Sequence, residues 1–106
     1  MRIVFANDDL REECNNQELL VKRHGHARAR LVRRRLDELF NAEVLAHMRS
    51  MPHVTVLDAS GSSAFALDVG STCRLLFRPA RPPGPDGKWD WKKVDSIVIL
   101  GLVTLR

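Results

Sequence analysis

"ARARLVRRRLDELF" (27–40) sets five arginines within 28–35 and then turns at once to acid and apolar residues. Read as charge alone it is a basic arm; read by its apolar spacing it is a helix. At 3.6 residues per turn Ala29, Val32, Leu36, Leu39 and Phe40 fall on one stripe, so the segment is predicted to be an amphipathic helix that packs on a core. Upstream, "RIVF" (2–5) is a β-branched and aromatic run, hence a strand, and it stops at Asn7-Asp8-Asp9, residue types that cap helix N-termini. A first short helix carries Leu10 and Cys14 at i, i+4. Asn15 and Glu18 stand at capping-box spacing before "LLVKRH" (19–24), which predicts a second helix. Gly25 closes it, since glycine readily takes positive φ at a helix C-terminus and Lys22, Arg23 and His24 oppose the dipole there. A new helix then starts near His26.

"AEVLAHMRSM" (42–51) reads as a short helical continuation ending at Pro52. Beyond it the period changes from 3.6 to 2: "VTVLD" (54–58), "AFALDV" (64–69) with Phe65, Leu67 and Val69 alternating, and "CRLLFR" (73–78) after a Gly70-Ser71 turn. These are hairpin-linked strands. "PARPPGPDGKW" (79–89) holds four of the five prolines and two of the six glycines, so it is an exposed loop. "IVILGLVTL" (97–105) is apolar on both faces, which suits a strand at the centre of a sheet. The expected fold is a single α+β domain over 1–106: an N-terminal strand, a helical pair, then antiparallel strands, with helices packed against one sheet face.

The 44% hydrophobic and 28% charged composition is that of a globular chain, and no apolar run approaches the ~18 residues a membrane span requires. The start, "MRIVFANDD", lacks the layout of a secretory signal, so a cytoplasmic location is expected. Two distant cysteines, Cys14 and Cys73, make neither a disulfide framework nor a zinc cluster and read as buried thiols; no metal or cofactor is expected. Charge is concentrated. Residues 19–36 contain Lys22, Arg23, Arg28, Arg30, Arg33, Arg34 and Arg35 and no acid, a local +7 within a net +4 that leaves the remainder at −3. Arg33 reaches Asp37 and Arg34 reaches Glu38 at i, i+4. Arg28, Arg30 and Arg35 lack such partners, and with Lys22 and Arg23 they are expected to meet a phosphate backbone or an acidic partner.

Over nearly its whole length the chain resembles the RelE/ParE superfamily of bacterial toxins, and within it the HigB-like "killer" toxins of type II toxin–antitoxin modules. The resemblance lies in "DLREECNNQELLVKRHG" leading into "ARARLVRRRLDELFNAEVLAHMRSMP", in "FALDVGSTCRLLFRPA", in the loop ending "WDWKKV" and in the closing "SIVILGLVTL". It implies a RelE-like domain, a curved mixed sheet against two helices, and an inactivating antitoxin from a neighbouring gene, expected to be a helix-turn-helix protein of the HigA kind. RelE and HigB relatives cleave mRNA in the ribosomal A site, whereas ParE relatives poison DNA gyrase, so fold alone does not choose between them.

Such ribonucleolysis needs a base for the 2′-hydroxyl, an acid for the leaving oxygen, and cations for the transition state. The family's strand arginine is matched by Arg74, and Arg78, four residues on, projects from the same face, so the pair can hold one phosphate. The family's acidic-Tyr-His ending is replaced by Thr104, Leu105 and Arg106, and Leu57 and Ser60 stand where a histidine and a lysine are usual. Arginine stays protonated at neutral pH, so Arg106 is no simple substitute for a histidine. His47 and His53 flank the helix-to-strand junction, read as surface histidines, and could move a proton if the hairpin brings them near Arg74. The candidate catalytic set is therefore Arg74, Arg78, Arg106 and His53. Asp68, Asp90 and Asp95 read as caps at turns and strand ends. Of Trp89 and Trp91 at least one should anchor the loop on the sheet, the alternative being base stacking; Lys92 and Lys93 sit at the rim as phosphate-positioning or solubilising charges. The expected function is an mRNA endonuclease toxin acting at the ribosome. A non-enzymatic toxin on the same fold, either a gyrase poison or a decayed nuclease, is the alternative, and a general RNA-binding domain a third.

Overall fold

The computed structural model describes residues 1–49, 51, 54–59 and 62–104, with the backbone alone for 54–59, 62 and 63. The elements run β1 (Arg2–Phe5), α1 (Asp8–Asn15), α2 (Gln17–Asn41), a 3₁₀ turn (Leu45–Met48), β2 (Val54–Ala59), β3 (Ser62–Asp68), β4 (Cys73–Pro79) and β5 (Ser96–Thr104). They form the expected α+β arrangement. The five-stranded sheet has the order β1-β5-β4-β3-β2, antiparallel from β2 to β5 and parallel between β1 and β5. β5, last in the chain, lies between β1 and β4, where its apolar composition is tolerated.

The pleat decides which side chains reach the core. Phe65 and Leu67 of β3, Cys73, Leu75 and Phe77 of β4, and Ile97 and Ile99 of β5 are buried on one face, facing Leu20, Ala29, Val32, Leu36 and Leu39 of α2. Burying one such leucine or phenylalanine contributes roughly 1.5–3 kcal/mol. β5 is an interior strand, as its two apolar faces suggested, but the two are not equally covered: Ile97 and Ile99 are buried, whereas Val98 is half-buried and Val103 is 40% exposed. Among the described residues the helices lie on one face alone, and the other is left uncovered.

Helix ends follow side-chain chemistry. Asn7 caps α1, its Oδ1 accepting from the Leu10 amide at 2.8 Å, and Asp8 and Asp9 sit in the first turn against the positive end of the dipole. The cap of α2 is Asn16, one residue after the expected Asn15, with its Oδ1 accepting from the Leu19 amide at 3.2 Å. Asn15 completes α1, and Asn16 alone takes the extended conformation that the turn between two helices requires. Gly25 interrupts α2 as expected, at φ 82 and ψ 165, and the helix resumes beyond it.

Two expectations near the end of α2 fail. Phe40 is not buried with its stripe but 67% exposed, because this end of the helix lies beside β1, the edge of the sheet, and no further strand among the described residues covers it. Helix does not continue through 42–51 either; Ala42 is extended and the chain re-forms as a single 3₁₀ turn. Leu45 and Met48, three apart, lie above one another in that tighter turn and are both buried. The Leu45 amide donates to the Val94 carbonyl at 2.8 Å and the Ala46 amide to the Trp91 carbonyl at 2.9 Å, bonds a continuing helix would forfeit. No described helix is long and apolar enough to cross a membrane.

Replacing Asn16 with Ala should cost about 1 kcal/mol of stability in urea unfolding, whereas Asn15→Ala should stay within about 0.5 kcal/mol. The reverse order would return the cap to Asn15.

Candidate nucleic-acid interface

Strand β4 buries Cys73, Leu75, Phe77 and Pro79 and turns Arg74, Leu76 and Arg78 to the uncovered face. The irregularity between Leu76 and Phe77 is absorbed by β5, where Gly101 pairs with Leu76 and Ile99 with Phe77, so the alternation along β4 is unbroken. Neighbouring strands add Asp68, Val98, Val103 and Val4 to the same surface, while Ala66, opposite Leu76 on this face, is itself fully buried. An apolar strip thus separates two arginines whose backbones are roughly 13 Å apart at ~3.3 Å per residue.

The two guanidiniums are held differently. Arg74 and Asp68 are directly opposed across the hairpin, and the Arg74 Nε donates to Asp68 Oδ1 at 3.2 Å with both side chains partly exposed. Asp68 was expected to be a cap; an acid and an arginine on either side of the Gly70-Ser71 turn are the sequence signal for their pairing. Arg78 is exposed and, among the described residues, donates to the carbonyl of its neighbour Pro79 at 3.2 Å. Each guanidinium is thus engaged with its own neighbour, Arg74 with Asp68 and Arg78 with Pro79, and both stand on the face from which they were expected to hold one phosphate.

The basic face of α2 is largely committed to structure. Arg35, expected on the binding surface, is 6% exposed: its Nε donates to the Asp68 carbonyl at 2.9 Å and its Nη1 to Glu38 Oε1 at 2.6 Å. Its position on the helix, between Val32 and Leu39, points it at the end of β3, where a long side chain is needed to satisfy a carbonyl left free at the turn. Arg35 is thus buried in the fold and not on the binding surface expected of it. Arg28 reaches the same turn, donating to Thr72 Oγ1 at 2.6 Å while remaining half-exposed. Gly70 allows the turn its positive φ of 73.

Other pairings also depart from the helical spacing. Arg34 meets Glu38 at 3.7 Å as expected, but Arg33 turns to α1 and donates to the Cys14 carbonyl at 3.2 Å in place of Asp37. Arg23 is bound to Glu13 at 2.9 Å and lies 3.7 Å from Asp9. Glu13 also contacts His24 Nε2 at 2.6 Å, so one carboxylate pins α1 to α2. That contact spans two helices and has no local sequence signal. Lys22 and Arg30 are exposed with no ion-pair partner among the described residues.

Both tryptophans anchor the 80–95 loop. Trp91 meets Phe65 edge-on at 5.0 Å and Trp89 at 6.4 Å, while the Trp89 Nε1 donates to the Arg81 carbonyl at 2.8 Å. Arg49, unremarked in the sequence, lies 4.6 Å over the Trp91 ring. Lys92 and Lys93 are exposed on this loop. His47 is exposed on the 3₁₀ turn, its Nδ1 accepting from the Glu43 amide at 3.3 Å. His53, Ser60, Leu105 and Arg106 lie outside the described residues, as does the side chain of Leu57. Among the described residues the uncovered face therefore supplies cations and one paired carboxylate. Such groups bind and stabilise phosphate charge; none of the arginines exchanges a proton at neutral pH.

Cys14 and Cys73 are buried, as expected. Burial, reinforced by Glu13 and opposed by Arg33, pushes the Cys14 thiol up to about 11, and burial raises Cys73 as well. Both stay protonated and unreactive near neutrality. No protein-family model, curated protein or solved structure matches the chain.

Arg35→Ala should destabilise the fold by about 2–3 kcal/mol, since it strips the Asp68 carbonyl and Glu38 of a charged donor, whereas Arg30→Ala should change stability by less than about 0.5 kcal/mol; chemical denaturation reads both. Because Cys14 releases its proton more readily in the unfolded chain, its contribution to stability is complete below pH 9.0 and falls as pH rises toward about 11. Cys14→Ala should flatten that decline in unfolding measured across this window.

Proposed function

We propose that this chain is a HigB-like toxin of the RelE/ParE kind, engaging ribosome-associated mRNA through the uncovered face of its sheet and restrained by an antitoxin. The observation that carries the reading is the pairing of one-sided helix packing with Arg74 and Arg78 on the face left bare. An RNA strand laid across that face would meet a cation at each end of an apolar strip, with phosphates neutralised at Arg78 and Arg74 and sugar or base surface over Leu76 and Val98. Exposed Lys22 and Arg30 and half-exposed Arg28 extend the positive field along α2, which favours approach to rRNA.

In a cleavage reaction the arginines would stabilise charge on the phosphorane-like transition state. The described strands contain no histidine, and Asp68 is occupied by Arg74, so an acid and a base must come from groups other than these. That same observation favours a second reading, a toxin on this fold that binds its target without cutting it.

Binding is measured with single-stranded RNA by fluorescence anisotropy over a salt series. Arg78→Ala should weaken binding across sequences and lower the slope of log affinity against log salt by about 1, the signature of one lost phosphate contact. An unchanged slope would take Arg78 out of the interface. Induced expression separates the two readings: arrest of translation with A-site cuts that disappear in Arg74→Ala supports the nuclease, and arrest without cuts supports the binder.

A further inference from the structure

We propose that two copies of this chain pair through the bare edge of β1 to form one continuous sheet across a two-fold axis. The Arg2 amide donates to the Asp95 carbonyl and the Ala6 amide to the Ile99 carbonyl, each at 2.9 Å. Amides alternate in direction along a strand, so the N–H and C=O groups of Ile3 and Phe5 point away from β5, toward the edge. Residues that face outward in this way are two apart. An antiparallel second copy can therefore set its Phe5 against Ile3 and its Ile3 against Phe5, every outward donor meeting an outward acceptor, with Val4 facing Val4 on the axis.

The surroundings match this register. Two of the large apolar side chains left exposed, Val4 at 45% and Phe40 at 67%, flank this same edge, one above the sheet and one on the helix side. Between them runs a groove of about 840 Å³ along β1. Its rim carries Asp8 and Asp37 against Arg11 and Arg33, a balanced set on a chain whose net charge is +4. Like copies of a basic protein repel over most approaches; along this rim opposite charges offset one another, leaving exposed Arg2 of β1 as the added cation, and an acidic partner would find its charge complement on α2 and β4 instead. The antiparallel register also keeps the helices of both copies on one side, where Phe40 of each can cover the groove of the other. An edge of this kind left unpaired templates aggregation, and closed two-fold pairing removes the hazard.

Sedimentation of the full chain over a rising concentration series, with hydrogen exchange followed on the same samples, tests the pairing. The mass should move from 12.0 kDa toward twice that value, and the Ile3 and Phe5 amides should become protected in step with it. Val4→Lys and Phe40→Glu alter exposed positions, so each should keep the circular dichroism of the parent chain and lose the dimer. A single mass of 12.0 kDa at every concentration, with Ile3 and Phe5 exchanging freely, would overturn the proposal. So would a dimer that survives Val4→Lys with those amides unprotected, or protection that arises only when an extended peptide or a different protein is added.

Discussion

Packing of the two helices against a single face of the sheet is the constraint on which the other features depend. It requires strands that alternate, and β4 alternates through all of Cys73–Pro79. It requires a helix whose apolar stripe spans the width of the sheet, which Ala29, Val32, Leu36 and Leu39 supply. Since each strand residue that faces the helices forces its neighbour the other way, burying Leu75 and Phe77 fixes Arg74, Leu76 and Arg78 on the opposite side. The chemistry of the bare face is thus a by-product of how the core is filled.

The β3–β4 turn ties the two layers together. Arg28 and Arg35 leave α2 for Thr72 and for the Asp68 carbonyl, and Asp68 in turn receives Arg74 from across the hairpin. A single aspartate therefore uses its backbone to hold the helix and its side chain to hold the arginine of the proposed interface. Movement at the turn would be felt at both. It also explains why a chain so rich in arginine presents less free positive charge than its composition suggests: several guanidiniums are spent satisfying carbonyls and carboxylates of the protein itself.

Strands, helices and their order were legible in the sequence because each follows from local periodicity and capping residues. The Gly25 interruption, the hairpin strands and the buried thiols belong to this class. What was not legible depended on contacts between distant segments. Arg35 and Arg30 look alike in sequence, and only the position of the β3–β4 turn separates a buried donor from an exposed one. Phe40 shares its helical stripe with Leu36 and Leu39, yet the edge of the sheet falls short of it. Leu45 and Met48 suit a helix or a 3₁₀ turn equally until the carbonyls of Trp91 and Val94 are in place. For the candidate site, spacing put Arg74 and Arg78 on one face correctly, while Asp68 as the partner of Arg74 emerged from the hairpin register.

The proposed RNA contact lies on the sheet face bare of helices. The most direct measurement is an amide chemical-shift map of the isotope-labelled chain titrated with single-stranded RNA. The perturbed amides should cluster along β4 from Arg74 to Arg78 and on the adjoining stretch of β5 around Val98, with α2 affected chiefly near Arg28 and Arg30. Perturbations confined to the β1 edge and the Phe40 groove, or none at saturating RNA, would contradict it.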